Sequence, residues 1–160
     1  MFSLQDIVAV AIQIEQNGAQ TYREAAAKVA DPELATLLTK LAEQETAHVV
    51  WFTELKETLP PAEVESELAE MGEALLLDIL GDERFSLADV DLTAAQGVQE
   101  VLKAAIELER DTALFYDMIG SFLSDPEVSD QLEHIIAEET THEERLKAYL
   151  SGEISWPGKG

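Results

Sequence analysis

The chain contains no cysteine, which excludes disulfide cross-links, thiolate metal sites and iron–sulfur clusters, so any redox chemistry must use other ligands. It is also poor in cations. Ten Lys and Arg stand against 33 Asp and Glu, a net charge of −23, and such a surface repels nucleic acid and anionic lipid headgroups while drawing in cations. Binding to nucleic acid or to a membrane surface is therefore not expected. Glycine and proline are few, at 8 and 5 residues, and aromatics make up only 6%. No uninterrupted apolar run reaches the length of a membrane span. The opening MFSLQDIVAVAIQIEQ is apolar in part, but Gln and Glu interrupt it, no Lys or Arg precedes Arg23, and a small-residue cleavage site is missing. These features read as a soluble, cytoplasmic protein.

What remains is rich in Glu, Ala and Leu, all good helix formers, in 160 residues, enough for one self-sufficient hydrophobic core. The expected fold class is all-α. An apolar period of 3.6 residues runs through four segments, 3–30, 33–57, 93–124 and 127–150, as in helices that face a core. Ser3 with Asp6 three residues on forms a capping-box-like start. The second and fourth segments both open on Asp-Pro-Glu, at 31–33 and 125–127, an Asp cap followed by proline at the first helical position. The joints there are short, whereas the stretch between the second and third segments is long and carries its own helical pattern from Ala62 to Leu80. Two helical hairpins (3–57 and 93–150) joined by a partly helical crossover (58–92) make the ferritin-like variant of the four-helix bundle. The expected domain is 1–150, with 151–160 as a loosely ordered tail.

The two hairpins are internal copies. Displaced by 94 residues without a gap, residues 8–55 overlay 102–149 with 12 identities in 48 positions. Three of these are the Asp-Pro-Glu joint, which needs only a structural explanation. Four others are polar and do not follow from making a hairpin: Glu15/Glu109, Tyr22/Tyr116, Glu45/Glu139 and His48/His142.

These polar residues fall on the apolar stripes. In the second segment the stripe runs through Leu34, Leu37, Leu38 and Leu41 to Glu45 and His48, then Phe52 and Leu55. In the fourth, Leu132, Ile135 and Ile136 lead to Glu139 and His142. Glu15 and Tyr22 lie on the stripe of the first segment, and Glu109 and Tyr116 on that of the third. An ionised carboxylate buried alone is costly, and four together also repel one another. Two divalent cations, about +4, balance four glutamates, about −4, and ligation by carboxylate and imidazole suits iron or manganese better than zinc. The i, i+3 spacing sets Glu and His on one helix face about 4.5 Å apart along the axis, so that Glu can bridge two ions while His binds one. Tyr22 and Tyr116 are placed to hydrogen-bond a ligand carboxylate or to line the cavity. Spacing alone is weak, because glutamate is roughly one residue in seven; the shared register of the two copies carries the reading. The alternatives are a metal-free polar network, ordinary core packing for the tyrosines, and a purely structural bundle. His134 has Gln131 three before it and lies off the stripe, so it reads as a surface histidine, with Trp51 and Trp156 as packing and tail residues.

The fragments IEQNGAQTY, EQETAH, LERDTALFY and EETTH resemble the helix motifs of the rubrerythrin branch of the ferritin-like superfamily, over almost the whole chain. The resemblance implies two irons (manganese or a mixed pair being alternatives), with Glu15 and Glu109 as terminal ligands, Glu45 and Glu139 bridging, and His48 and His142 capping one ion each. It implies a di-iron oxidoreductase that reduces hydrogen peroxide or O2, with ferroxidase or iron storage as the alternative, and a homodimer. Two departures stand out. The family's additional glutamate, three after the helix-three ligand, is Thr112 here, with Gly18 as its duplicate, and Glu107 projects from the opposite face. The cysteine-ligated rubredoxin module is missing, as in the short members of the family, so electrons are expected from a separate donor.

Overall fold

The computed structural model describes residues 3–59, 67, 70–74 and 91–152. Four long helices carry the fold: α1 (Leu4–Lys28), α2 (Pro32–Thr58), α3 (Ala95–Gly120) and α4 (Pro126–Ser151). At 25 to 27 residues each they are about 40 Å long. Helix α1 packs along α2 and α3 along α4, so the molecule is two antiparallel hairpins, and buried side chains from both form one core. Among the described residues no helix is long and apolar enough to cross a membrane.

The starts follow from the local sequence. At α1 both halves of the capping box form: the Asp6 amide donates to Ser3 Oγ at 3.1 Å and the Ser3 amide to Asp6 Oδ2 at 2.9 Å. This holds the Asp6 carboxyl below its ordinary value, the backbone hydrogen bond from Ser3 first and its side chain next. At α2 and α4 the aspartate before proline is extended, as proline demands of its predecessor, and its carboxylate accepts from the amide two residues on, at 3.0 Å for Asp31 and 2.9 Å for Asp125. Helix α3 differs. Ala94 offers no side-chain cap, and the approach is instead set by Asp91, whose Oδ1 accepts from the Thr93 amide at 2.9 Å.

The ends deviate by a few residues from the periodicity. Helix α1 stops at Lys28 because the chain turns extended at Val29, ahead of the Asp31-Pro32 start. Helix α3 stops at Gly120, not at 124, and tightens into turns in which the Phe122 amide bonds Ile119 O at 3.0 Å and the Leu123 amide bonds Gly120 O at 3.1 Å. The periodic Phe122 and Leu123 thus pack on the core without being helical. Gly152 closes α4 in the left-handed region at φ +72°, a conformation that favours glycine.

Of the expected crossover helix 62–80, residues 67 and 70–74 are helical and the rest lies outside the described residues, as do most of the tail and Trp156. Gly72 is buried against the Phe115 ring: a Cβ there would lie 3.0 Å from Phe115 Cζ and 3.7 Å from Val10 Cγ1. At Gly72 the chain therefore approaches α1 and α3 to a distance that glycine makes possible.

The duplication is broken where the hairpin ends meet. Tyr149 stands where the other copy has Leu55, and its hydroxyl donates to Asp31 Oδ2, tying the end of α4 to the start of α2. Burial, then the hydrogen bond to Asp31, push the phenol up to about 12. Asp125→Ala should accordingly cost about 1 kcal/mol of stability in urea unfolding, the worth of an N-cap. Asp31→Ala should cost about 2 kcal/mol, because the tyrosine also loses its acceptor.

Candidate metal centre

Halfway along the bundle the apolar layers are interrupted by six polar residues, all buried: Glu15 on α1, Glu45 and His48 on α2, Glu109 on α3, Glu139 and His142 on α4. Above and below them Leu38, Leu41, Phe52, Ala105, Ile135 and Leu146 seal the interior. Each helix delivers its ligand candidate for the same reason that it delivers leucine, the residue being in register with the core stripe.

The side chains form two groups. One oxygen or nitrogen from each of Glu15, Glu45, His48 and Glu139 lies within 4.8 Å of the others, and the same holds for Glu45, Glu109, Glu139 and His142. Glu45 and Glu139 belong to both. His48 Nδ1 lies 3.0 Å from Glu139 Oε1 and 3.4 Å from Glu15 Oε1, while His142 Nδ1 lies 3.0 Å from Glu45 Oε1 and 3.5 Å from Glu109 Oε2. Each histidine thus turns Nδ1 toward the other hairpin's Glu-x-x-His glutamate and its own hairpin's lone glutamate. The two rings are nearly parallel, with centroids 6.3 Å apart.

The tyrosines also cross between hairpins. Tyr22 donates to Glu109 Oε1 at 2.5 Å and Tyr116 to Glu15 Oε1 at 2.7 Å. Each therefore serves the glutamate of the other copy and not the one seven residues before it, a pairing that sequence separation conceals. Burial first, then nearby carboxylates (Glu109 for Tyr22, Glu15 for Tyr116), push both phenols well above their ordinary value, so they stay protonated and remain donors. Tyr22→Phe should cost about 1–3 kcal/mol in urea unfolding by stripping a buried oxygen of its donor, and Tyr116→Phe a similar amount.

Without a cation the cluster neutralises itself with protons. Burial and then the charges of Glu139, Glu15 and Glu109 push Glu45 well above the carboxylate range. Burial and the Glu139 charge raise Glu109 to about 8. Burial disfavours charged imidazole, yet Glu139 and Glu15 raise His48 to about 11, and Glu109 with Glu139 raises His142 to about 10. Burial pushes Glu15 up as well, but hydrogen bonds from Glu45 and His48 and the His48 charge outweigh it and hold this carboxylate below its usual range. Even so, satisfaction is incomplete. Glu15 Oε2, Glu45 Oε1, Glu109 Oε2, Glu139 Oε2 and His142 Nδ1 are buried without a hydrogen bond, close contact to an imidazole notwithstanding. Native interiors leave few such atoms. Glu45 Oε1, Glu109 Oε2 and Glu139 Oε2 gather around His142 Nδ1 at 3.0, 3.5 and 3.6 Å, and carboxylate oxygens gathered with imidazole nitrogen suit divalent transition ions. The chemistry of the residues present therefore fits a dimetal group, which Glu15, Glu45, His48, Glu109, Glu139 and His142 would hold.

Further positions complete the site. Gly18 faces it: a Cβ there would lie 3.4 Å from Glu45 Oε2. Thr112, its duplicate, is buried. A glutamate at position 18 would be directed at the cluster, and neither position supplies one. Glu107 and His134 are exposed, away from the centre. Sequence reasoning missed the groups behind the histidines. His48 Nε2 pairs with Glu138 Oε2 at 3.1 Å, and His142 Nε2 with Gln44 Oε1. The missed signal was present, since Gln44 and Glu138 are themselves duplicates 94 residues apart, each directly before a shared glutamate. Trp51 packs part-buried and donates from Nε1 to Gln131 at 2.8 Å.

Two helical hairpins that enclose a duplicated carboxylate and histidine cluster define a ferritin-like bundle with a candidate dimetal carboxylate centre. The comparisons with known proteins agree. The rubrerythrin family model matches residues 6–150, and the chain belongs to the rubrerythrin family. Its fold is similar to a crystal structure described as that of a ferritin-like diiron-carboxylate protein from Thermotoga maritima, with a TM-score of 0.71 and 19% identity, covering 96% of this chain and 97% of that one. At that identity the likeness is one of fold. No curated protein matches the chain.

Proposed function

We propose that the protein is a non-haem di-iron oxidoreductase that reduces hydrogen peroxide or O2 with electrons delivered by a separate donor. The observation that carries this reading is the pair of buried tetrads sharing Glu45 and Glu139, with unsatisfied oxygens converging between them. Two irons held there would supply two electrons together, the number that converts one peroxide and two protons into two waters.

The chain's own groups serve that chemistry in definite ways. Glu15 and His48 would hold one ion, Glu109 and His142 the other, and Glu45 and Glu139, which belong to both tetrads, would serve both. Tyr22 and Tyr116 fix the orientation of the two terminal carboxylates through hydrogen bonds. The apolar layers exclude bulk water from the centre. Electrons come in this reading from a separate donor, the chain having no cysteine for a thiolate-ligated iron centre. A homodimer is the assembly this reading carries.

A second reading, ferrous-iron oxidation for transfer or storage, is favoured by one observation: Gly18 stands where a further carboxylate would face the cluster, and its buried duplicate Thr112 supplies none either. Manganese, or a mixed pair, is the alternative content of the same ligands.

Stopped-flow mixing of the anaerobically iron-loaded protein with peroxide, and separately with O2, should give rapid oxidation at two irons per chain. A diferrous protein that neither oxidant changes sinks the oxidoreductase reading. Uptake of many irons per chain would favour storage.

A further inference from the structure

The six residues of the centre obey the internal duplication, but the groups behind the histidines do not. Both imidazoles turn Nδ1 inward and Nε2 outward. The outer acceptors come from duplicate positions of the opposite hairpins: Glu138 of α4 behind His48, and Gln44 of α2 behind His142. One is a carboxylate and the other an amide. Both accept from Nε2–H and so present the Nδ1 lone pair to the centre, but only Glu138 places a negative charge on the far side of its ring. A carboxylate behind a ligating imidazole raises the ligand's basicity and with it the affinity for the ion. A carboxamide orients the ring without adding charge.

Resting on the dimetal reading, we infer that Glu138 and Gln44 are positioning residues that make the two halves of the centre unequal, so that the half built on Glu15 and His48 takes up a divalent ion before the half built on Glu109 and His142. The asymmetry is local. Around the ions themselves each half has one lone glutamate, one histidine, a tyrosine bound to that glutamate, and the same two shared glutamates. Among the hydrogen bonds described above for these residues, the difference in charge is the exchange of Gln for Glu behind the ring. The expected separation is about 10-fold to 100-fold in dissociation constant. The weaker His142 half is then the one from which an ion is exchanged or replaced by a different metal.

The test uses the full-length protein and Co2+. After one equivalent, anomalous diffraction should place the ion at the His48 half with at least about tenfold higher occupancy, and a spectroscopic titration should resolve two steps. Glu138→Gln should merge the steps by weakening the first, Gln44→Glu should merge them by strengthening the second, and the exchanged pair Q44E/E138Q should reverse the order of filling. A purely structural role for Glu138 would lower the melting temperature of the metal-free protein without reversing the order. Should E138Q fail to fold, Q44E alone decides, since it leaves His48 untouched. Equal occupancy of both halves in the natural protein, or an order that the exchange does not reverse, overturns the inference and leaves the dimetal centre standing. Failure to bind Co2+, Mn2+ or Fe2+ at all overturns both.

Discussion

Metal-free protein should lose thermal stability as the pH is raised from about 6.5 to 8, and two equivalents of Fe2+ or Mn2+ should restore it most strongly at the upper end. The direction follows from which state holds protons. Glu109 titrates near 8 in the fold against an ordinary 4.5, so from 4.5 upward the native state retains a proton that the unfolded chain has released, and its contribution fades as pH rises through 8. His48 and His142, at about 11 and about 10 against 6.5, contribute fully below 6.5 and lose that contribution as the pH climbs toward their folded values. Glu45 is shifted in the same sense as Glu109. Glu15 is the exception, its stabilisation being present above 4.5 and lost as the pH falls. Each group in its window contributes up to about 1.4 kcal/mol per pH unit, so the fall between 6.5 and 8 should be several kcal/mol. Divalent ions take the place of these protons. At free concentrations of about 100 times Kd, two sites add about 5 kcal/mol, or about 10–20 °C in Tm for a chain of this size. Melting curves with and without metal at pH 6, 7 and 8 measure both effects. Metal-free stability that rises over this range would contradict the proton-filled cluster. Glu109→Gln should flatten the slope by removing one of its terms.

Glu139→Ala should abolish binding of both ions, whereas Glu109→Ala should spare one. Glu139 stands in both tetrads, Glu109 in one. Loss of an outer hydrogen-bond partner of a ligand typically weakens a metal about 10-fold to 100-fold, and loss of a shared carboxylate should exceed the upper figure for each ion. Glu45→Ala should match Glu139→Ala, because the two are related by the duplication. Metal content after dialysis against about micromolar Fe2+ or Mn2+ distinguishes the classes. Retention of two ions by the Glu139 variant would mean that the glutamate is not shared.

Most of the fold was legible from periodicity, because the core of a helical bundle is a sum of stripes, each written locally. The Asp-Pro-Glu pairs placed two helix starts, and both carry the expected cap. The candidate site was legible for a different reason. A Glu and a His on an apolar stripe are expensive, and their recurrence at one offset in both copies points to a shared centre. Less was legible at the ends. The termination of α3 at Gly120 depends on turn hydrogen bonds that apolar period does not reveal, since Phe122 and Leu123 reach the core from a turn as well as from a helix. That the tyrosines serve ligand carboxylates was legible, but which carboxylate each serves was not. A seven-residue spacing relates side chains on one helix, whereas the hydrogen bonds run between α1 and α3.

By itself the sequence determined the class of fold, the two-hairpin plan, the six polar residues that enter the core and the exclusion of thiolate chemistry, because each is a matter of residue type and of period along one chain. Only the tertiary structure decided which atoms meet: that Glu45 and Glu139 are common to both tetrads, that each tyrosine serves the opposite copy, and that Glu138 and Gln44 stand behind different histidines. These are contacts between residues about 90 to 100 positions apart, and their partners are chosen by the crossing of the two hairpins and not by anything written in either one.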